Sequence, residues 1–430
     1  MLKINPLSTL YVGIDVSSKS NYICALDFFK NKYINSSFAN NQPGAEELAL
    51  KILECLNQHP DLTMVVAALE STSVYSIHIA NYLSSCEELM RFKPYVFVLN
   101  PKCTANYKKS YIGLGKSDPI DAFVIADYAR AGNIESEPWR GSQFLALKRL
   151  TRHRLHLVEC MTREKTYLSN LYLKFSELQM LEGDDQPFCD IYGATSSSVL
   201  MEYLSPEEIL ASSEENLIAF LAEKSCNRIK DISKTADLLK KAARDSYRLD
   251  KALYEPLNVS IASSFNCIET FKREIKVIDN AIEKEIKGLN PNAFIILQSI
   301  DGIGPVFAGG IIAEIGDITA FHSSDALAKY AGLTWKSNQS GDFYGEDTPM
   351  IKAGNRYLRY YLGEAANSMR KHNVEYGAYY RKKYNEVPKH QHKRALALTS
   401  RKFVRLVYGL LARNQLYSGV SLDTSIKDSN

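Results

Sequence analysis

Hydrophobic and polar positions change their period twice along this chain. Over the first 140 residues, short apolar runs alternate with helical patterns. TLYVGIDV (9–16) reads as a strand, and NYICALDF (21–28) and KYINSSFA (32–39) follow at hairpin distance. GAEELALKILECLNQ (44–58) has the three- and four-residue apolar spacing of a helix. TMVVAALE (63–70) has the β-branched and small residues of a buried strand. VYSIHIANYLSS (74–85) is helical, YVFVLN (95–100) extended and DPIDAFVIADYAR (118–130) helical. The order β-β-β-α-β-α-β-α predicts a mixed sheet with helices on its faces.

From 141 to 289 the strand signal disappears. Residues 144–175 keep helical apolar spacing, enough for a helix of roughly 45 Å, and helices of that length usually pair with a partner. Residues 206–224 and 263–289 are also helical, with a loop or hinge expected over GDDQPFCDIYGATSS (183–197). A third pattern starts at 290, with two helices around a glycine turn, a small polar loop and then basic helices. The expected division is a mixed-sheet domain over 1–140, a helical, coiled-coil-like connector and oligomerisation domain over 141–289, a mainly helical domain over 290–415 and a polar tail over 416–430.

Composition narrows the class. Hydrophobic residues make up 45% and charged residues 23% of the 430, a globular balance. No apolar run approaches the ~18 residues of a membrane span, and the N-terminal MLKINPLSTLYVGIDV has no export signal. The eight cysteines lie singly with no CxxC pair, which speaks against a zinc site or a disulfide framework and for a reducing cytoplasm. The net charge of +3 hides two basic zones. Residues 351–405 hold 14 Lys and Arg against 3 Asp and Glu, and residues 140–165 hold 7 against 2. A solvated helical face would explain either zone, but a local net of +11 points to a nucleic-acid partner.

Four acids carry the candidate chemistry. Asp15 ends the first strand and Glu70 another, while Asp118 and Asp121 open a helix three residues apart, on one face. Each has a plain structural reading: a solvent-facing strand end for Asp15, a lysine partner for Glu70, an N-cap in SDPID for Asp118. On this frame, strand ends and a helix start converge at one sheet edge. Carboxylates gathered there repel one another, and a hard cation relieves the repulsion. Oxygen ligands and a phosphate substrate suit Mg²⁺, as a pair of ions.

Downstream, SIDGIGPVFAGGIIAEIG (299–316) resembles a helix-hairpin-helix, with Gly302 and Gly304 in its turn. Glycines there let backbone N–H groups approach a phosphate, although a plain αα-hairpin would look the same. In IKAGNRYLRYYLGEAANSMRKH, Lys352, Arg356, Arg359 and Arg370 form a basic face opposite Leu358, Leu362 and Ala366. Between these elements lies KSNQSGDFYG (336–345), with Ser337 and Ser340 as candidate hydroxyls.

The order of YVGIDVS, ALEST, GKSDPIDAFVIADYAR, GIGPVFA and LAKYAGLTWKSNQSG…IKAGNRYLRYYLGEAA resembles the DEDD-type insertion-sequence transposases of family one-ten, described as bridge-RNA-guided serine recombinases. The resemblance covers the first 140 residues and the last 125 or so. It implies a RuvC-like, ribonuclease-H-like domain in which Asp15, Glu70, Asp118 and Asp121 hold Mg²⁺. It also implies a C-terminal transposase domain in which Ser340, on the Gln-Ser-Gly pattern, attacks DNA and forms a phosphoserine. Gly302, Gly304, Lys352, Asn355, Arg356 and Arg359 are then expected at the nucleic acid. The implied partners are donor and target DNA, a structured noncoding guide RNA and further copies of the chain in a dimer or tetramer, in the cytoplasm and on the nucleoid, with no membrane. The same acids would equally serve a metal-dependent nuclease or junction resolvase in which water attacks.

Overall fold

The computed structural model describes residues 4–72, 74–134, 138–139, 141–335, 339–340, 343–344 and 349–419; side chains of 142, 339, 340, 343 and 344 are not described. The described residues fall into two compact units. One is drawn from Met1–Lys148, Ile295–Ile303 and Ile311–Asn430, the other from Arg149–Phe294 and Gly304–Gly310.

The first unit opens with a five-stranded mixed sheet. Its strands are β1 (Thr9–Val16), β2 (Ser20–Leu26), β3 (Lys32–Ala39), β4 (Met64–Glu70) and β5 (Tyr95–Leu99), in the spatial order β3-β2-β1-β4-β5. β1 to β3 form an antiparallel meander, whereas β4 and β5 run parallel to β1. Four helices accompany it: α1 (Gln42–Gln58), α2 (Tyr75–Ser85), α3 (Pro101–Lys108) and α4 (Asp118–Arg130). The alternation in β1 sets the two faces. Leu10, Val12, Ile14 and Val16 pack with Leu48, Ile52 and Leu56 of α1 and Ile79 and Leu83 of α2. Tyr11 belongs to the opposite face, with Val66, Ala68 and Phe97 of the neighbouring strands and Ala122, Ile125 and Ala126 of α4. The mixed α/β order read from the hydrophobic pattern is thus present, with one addition. The helix α3 carries no clear apolar stripe; Asn100 caps it by accepting from the Lys102 N–H at 3.0 Å, and Pro101 follows at the first turn.

The second unit is helical. α5 (Ser142–Tyr167) is shorter than its apolar pattern suggests and gives way to a 3₁₀ turn over 168–170 before α6 (Leu171–Lys174). The expected loop over 183–197 is shortened by α7 (Ala194–Glu202). The helical stretch 206–224 is split into α8 (Pro206–Ala211) and α9 (Glu214–Ser225), where the Ser213 hydroxyl caps α9 at the Asn216 N–H. α10 (Ile232–Asp245) follows, and α11 (Lys251–Leu289) starts twelve residues earlier than expected, after an Asp250 cap, and runs through Pro256.

The C-terminal part is mostly helical: α12 (Pro291–Gln298), α13 (Pro305–Ile315), α14 (Ser324–Ala331), α15 (Arg356–His372), α16 (Val374–Asn385) and α17 (Gln391–Arg413). Among the described residues between α14 and α15 lie four two-residue strands: β6 (Thr334–Trp335), β7 (Gln339–Ser340), β8 (Phe343–Tyr344) and β9 (Met350–Ile351).

One residue fixes how α4 meets the sheet. A Cβ at Gly13 would fall 2.2 Å from the Ala122 carbonyl oxygen and 2.3 Å from the Ala126 nitrogen. Backbone atoms cannot yield as a flexible side chain can, so α4 lies on β1 at a distance only glycine permits. We expect Gly13→Ala to lower unfolding stability by about 3 kcal/mol, read as a fall in the urea midpoint. An unchanged midpoint would show that α4 does not depend on this contact.

Candidate active site

The sheet brings the four acids to one end. Ile14 of β1 is paired in parallel with Leu69 of β4, so Asp15 and Glu70 come next on strands about 5 Å apart and share a face. That face is the one α4 covers, because Gly13 and Ala68 precede the two acids by one pleat. α4 begins with Asp118 at its first position and Asp121 one turn on, immediately before the Ala122 that rests on Gly13. Ser117, not Asp118, stands at the cap position, and its carbonyl accepts from Ile120 and Asp121. Asp118 is therefore exposed in the first helical turn, where the helix dipole favours an anion.

The charges feel one another. Burial comes first, and repulsion from Asp121, Asp118 and Glu70 adds to it, so the Asp15 carboxyl is pushed up to about 6; Lys108 pulls the other way. Two neighbours from α3 hold Glu70 and Asp121. The buried Thr104 hydroxyl donates to Glu70 Oε1, and Lys108 Nζ lies 2.5 Å from Asp121 Oδ1. Neither residue stood out in the sequence. Their signal is weak, a Thr and a Lys four apart in a short helix, and only the approach of α3 to α4 gives them meaning.

A set of carboxylate oxygens, one of them raised by burial and by its neighbours' charge, suits a hard divalent cation. Among the described residues, no three His, Cys, Asp or Glu side chains stand close enough together to ligate one ion. The acids nevertheless share one electrostatic field around Asp15.

Asp127, nine residues beyond Asp118, belongs to another network. It is fully buried and takes hydrogen bonds from Tyr111, from Tyr107 at 2.8 Å and from Arg130 Nε at 2.6 Å, with Lys30 Nζ at 3.3 Å. Burial would raise its carboxyl, but the donors outweigh it and hold it below the usual range.

The hydroxyl loop is defined at its base. β6 pairs with β9 (Thr334 with Ile351, Trp335 with Met350), and above it β7 pairs with β8, Ser340 opposite Phe343. Ser337 and Gly341 lie outside the described residues, and for Ser340 only the backbone is described. Below the base, Gly332 ends α14 at φ +70° and Gly354 presses on it so closely that a Cβ would fall 2.6 Å from the Gly332 nitrogen. Asn355 caps α15 at the Tyr357 and Leu358 N–H groups and donates from Nδ2 to buried Glu314 at 2.8 Å and to the Tyr330 hydroxyl at 3.2 Å. Arg359 donates to the carbonyls of Ala331 and Lys352 at 2.9 and 3.1 Å. Asn355 and Arg359 thus clamp the two ends of the loop, while Lys352 and Arg356 are exposed. Gly302 turns at φ +86°, and its carbonyl accepts from Ser368 Oγ at 2.7 Å. A Cβ at Gly304 would meet nothing within 4 Å.

A transposase family model, of the DEDD type of IS110, matches residues 12–175, and a model for the transposase IS116/IS110/IS902 family matches residues 295–381. Together they span more than half of the chain, the first holding the four acids and the second the hydroxyl loop and its clamp. The chain belongs to the IS110 family of transposases. It is 24% identical to an uncharacterized 42 kDa protein of insertion element IS900 from Mycobacterium paratuberculosis, over 95% of this chain and 97% of that protein. An uncharacterized 44.8 kDa protein of insertion element IS116 from Streptomyces clavuligerus is also 24% identical, over 95% of this chain and 96% of its own length. The pilin gene-inverting protein of Moraxella bovis is 26% identical over 37% of this chain and 46% of that protein. An IS110-family transposase is a DNA recombination enzyme, and its DEDD acids point to dependence on a divalent metal. Among the described residues, no helix is long and apolar enough to cross a membrane.

The folded protein holds the Asp15 proton more tightly than the unfolded chain does, so this group's contribution to metal-free stability falls as pH rises from about 4 to about 6 and is flat above. A divalent cation has to displace that proton, so its affinity should climb over the same range. We expect wild type minus Asp15→Asn melting temperatures to fall across this window without metal, and Mg²⁺ to raise the wild-type value more at pH 7.5 than at pH 5. A difference independent of pH would refute the coupling. Separately, Thr104→Val should cost about 10–100-fold in activity or metal affinity by freeing the Glu70 carboxylate, measured as Mg²⁺-dependent DNA cleavage; wild-type rates at all Mg²⁺ concentrations would count against it.

Proposed function

We propose that this transposase cuts and rejoins DNA at the ends of an insertion element by Mg²⁺-dependent phosphoryl transfer. Ser340 is the nucleophile, and a structured noncoding bridge RNA selects the sites. The observation that carries the reading is the carboxyl of Asp15, raised by burial and by three further carboxylates, two at the start of α4 and one on the neighbouring strand. The strand order, with acids on the first strand, the fourth strand and the last helix, supports a RuvC-like, ribonuclease-H-like reading of residues 1–140. The helices of 141–289 serve as connector and oligomerisation domain, and 290–415 as the serine transposase domain.

Asp15, Glu70, Asp118 and Asp121 would hold a pair of Mg²⁺ ions, which when bound supply positive charge to the scissile phosphate. Glu70 is oriented for this by Thr104, and Lys108 tempers the charge of Asp121. A serine hydroxyl is a weak nucleophile at neutral pH and needs such activation. Ser340 Oγ forms a bond to phosphorus as the P–O bond to one strand end breaks; the serine proton passes to solvent, and the departing strand oxygen takes up a proton and leaves as a hydroxyl. The phosphoserine keeps the energy of the phosphodiester, so a new strand end can displace the serine without ATP.

The Ser340 loop is presented by the hairpin base that Asn355 and Arg359 clamp. Lys352 and Arg356 contact the nucleic-acid backbone on a surface that Asn355 and Arg359 shape, and the glycine turn at Gly302 and Gly304 makes a backbone contact of its own. Exposed Arg381, Lys382, Lys389 and Lys393 extend it around the turn between α16 and α17. The working form is a dimer or tetramer in the cytoplasm, with acids and serine supplied by different subunits, and base pairing by the RNA reads donor and target DNA.

The decisive test is a denaturing gel of the protein with its RNA and element-end DNA. Wild type should give a Mg²⁺-dependent protein–DNA adduct. Ser340→Ala should bind DNA and RNA normally but form no adduct and exchange no strands, whereas Ser337→Ala should keep both. Cleavage without any adduct, undiminished in Ser340→Ala, would establish water as the nucleophile instead.

A further inference from the structure

The loop between α3 and α4, residues 109–117, reads KSYIGLGKS and carries lysines but no acid. Ile112 at its tip is fully exposed, and Leu114 is exposed beside it. A single exposed apolar residue needs no explanation, but this one is built into place. Tyr111, immediately before it, donates its hydroxyl to buried Asp127, the carboxylate that the acid site does not use. Its ring also stands edge-on to Tyr107 at 5.8 Å and to Phe123 at 6.1 Å. Beyond the tip, Gly113 turns at φ +82°, and a Cβ at Gly113 or Gly115 would meet nothing within 4 Å, so the loop stands clear of the protein. Its two ends are the active region itself: Lys108 is bound to Asp121, and Asp118 opens the next helix.

We propose that this loop is a DNA-wedging finger: Lys109 and Lys116 straddle the phosphate backbone, and Ile112 inserts between base pairs beside the bond to be cut. This rests on reading the chain as a DNA-cutting enzyme. Apolar wedges of this kind unstack a base step and kink the duplex. A kink next to the four acids would pull the scissile phosphate out of the regular helix towards them. The rigid Tyr111–Asp127 root is what such a wedge needs, because a floppy loop would fold back before it separated two bases.

The test uses the full chain with the RNA transcribed beside its gene and a duplex spanning the element end. 2-Aminopurine is placed at successive steps around the cut. Without divalent metal, wild type should raise the fluorescence several-fold at one or two adjacent steps. Ile112→Ser should return it to the free-duplex level while DNA affinity by anisotropy stays within about threefold. Tyr111→Phe should weaken the signal, and Lys109→Ala and Lys116→Ala should each reduce the salt slope of binding by about one. An undiminished signal in Ile112→Ser overturns the finger, as does a drop in that variant's sedimenting mass, which would make Ile112 a subunit contact. Wild type that cuts the duplex with Mg²⁺ but shows no local unstacking overturns the finger alone. Wild type that does not cut it overturns the functional reading and the finger with it.

Discussion

The contact between the backbone of α4 and the side-chain-free surface of Gly13 sets the geometry of the acid site. With any larger residue the helix would stand off the strand by the thickness of a methyl group or more. At glycine distance, the first turn of α4 comes down beside the end of β1, and Asp118 and Asp121 enter the field of Asp15. Parallel pairing of β1 with β4 adds Glu70 on the same face. A packing constraint between two neutral backbones therefore concentrates negative charge.

That concentration opposes folding in the absence of metal, and the surrounding residues moderate it. Lys108 places an ammonium on Asp121, Thr104 satisfies one oxygen of Glu70, and Asp15 holds its proton to about pH 6. Each device is one that a cation could replace or exploit. The nearby Asp127 shows the contrasting solution: a carboxylate saturated by two tyrosines, an arginine and a lysine is stable as an anion and binds nothing further. On the one helix α4, Asp118 and Asp121 lie in the field of other acids, whereas Asp127 is surrounded by donors.

In the C-terminal part the logic is different. The loop of Ser340 is polar and short of apolar anchors, so its position has to be set from its base. Two short strand pairs, a glycine–glycine approach and the side chains of Asn355 and Arg359 do this. Arg359, read from the sequence as part of a basic face, spends its guanidinium on two backbone carbonyls. A helical spacing of cations cannot show which of them is turned inward to close a loop.

What the sequence determined by itself was the alternation of periods. Strands with buried faces and helices with apolar stripes are written locally, which is why β1 to β5 and α4 could be read within a residue or two, and why acids at strand ends and a helix start stood out as a set. Short or weakly striped elements were not legible: α3 has little periodicity, and the division of 206–224 depends on a single serine cap. Tertiary structure alone decided that Gly13 brings α4 onto the sheet, that Thr104 and Lys108 attend the acids, that Asp127 is a structural anchor and that Asn355 and Arg359 face inward. The physical reason is common to all of these. Periodicity is a property of one segment, whereas close approach, hydrogen-bond partnership and the mutual field of charges belong to pairs of segments that the chain order leaves far apart.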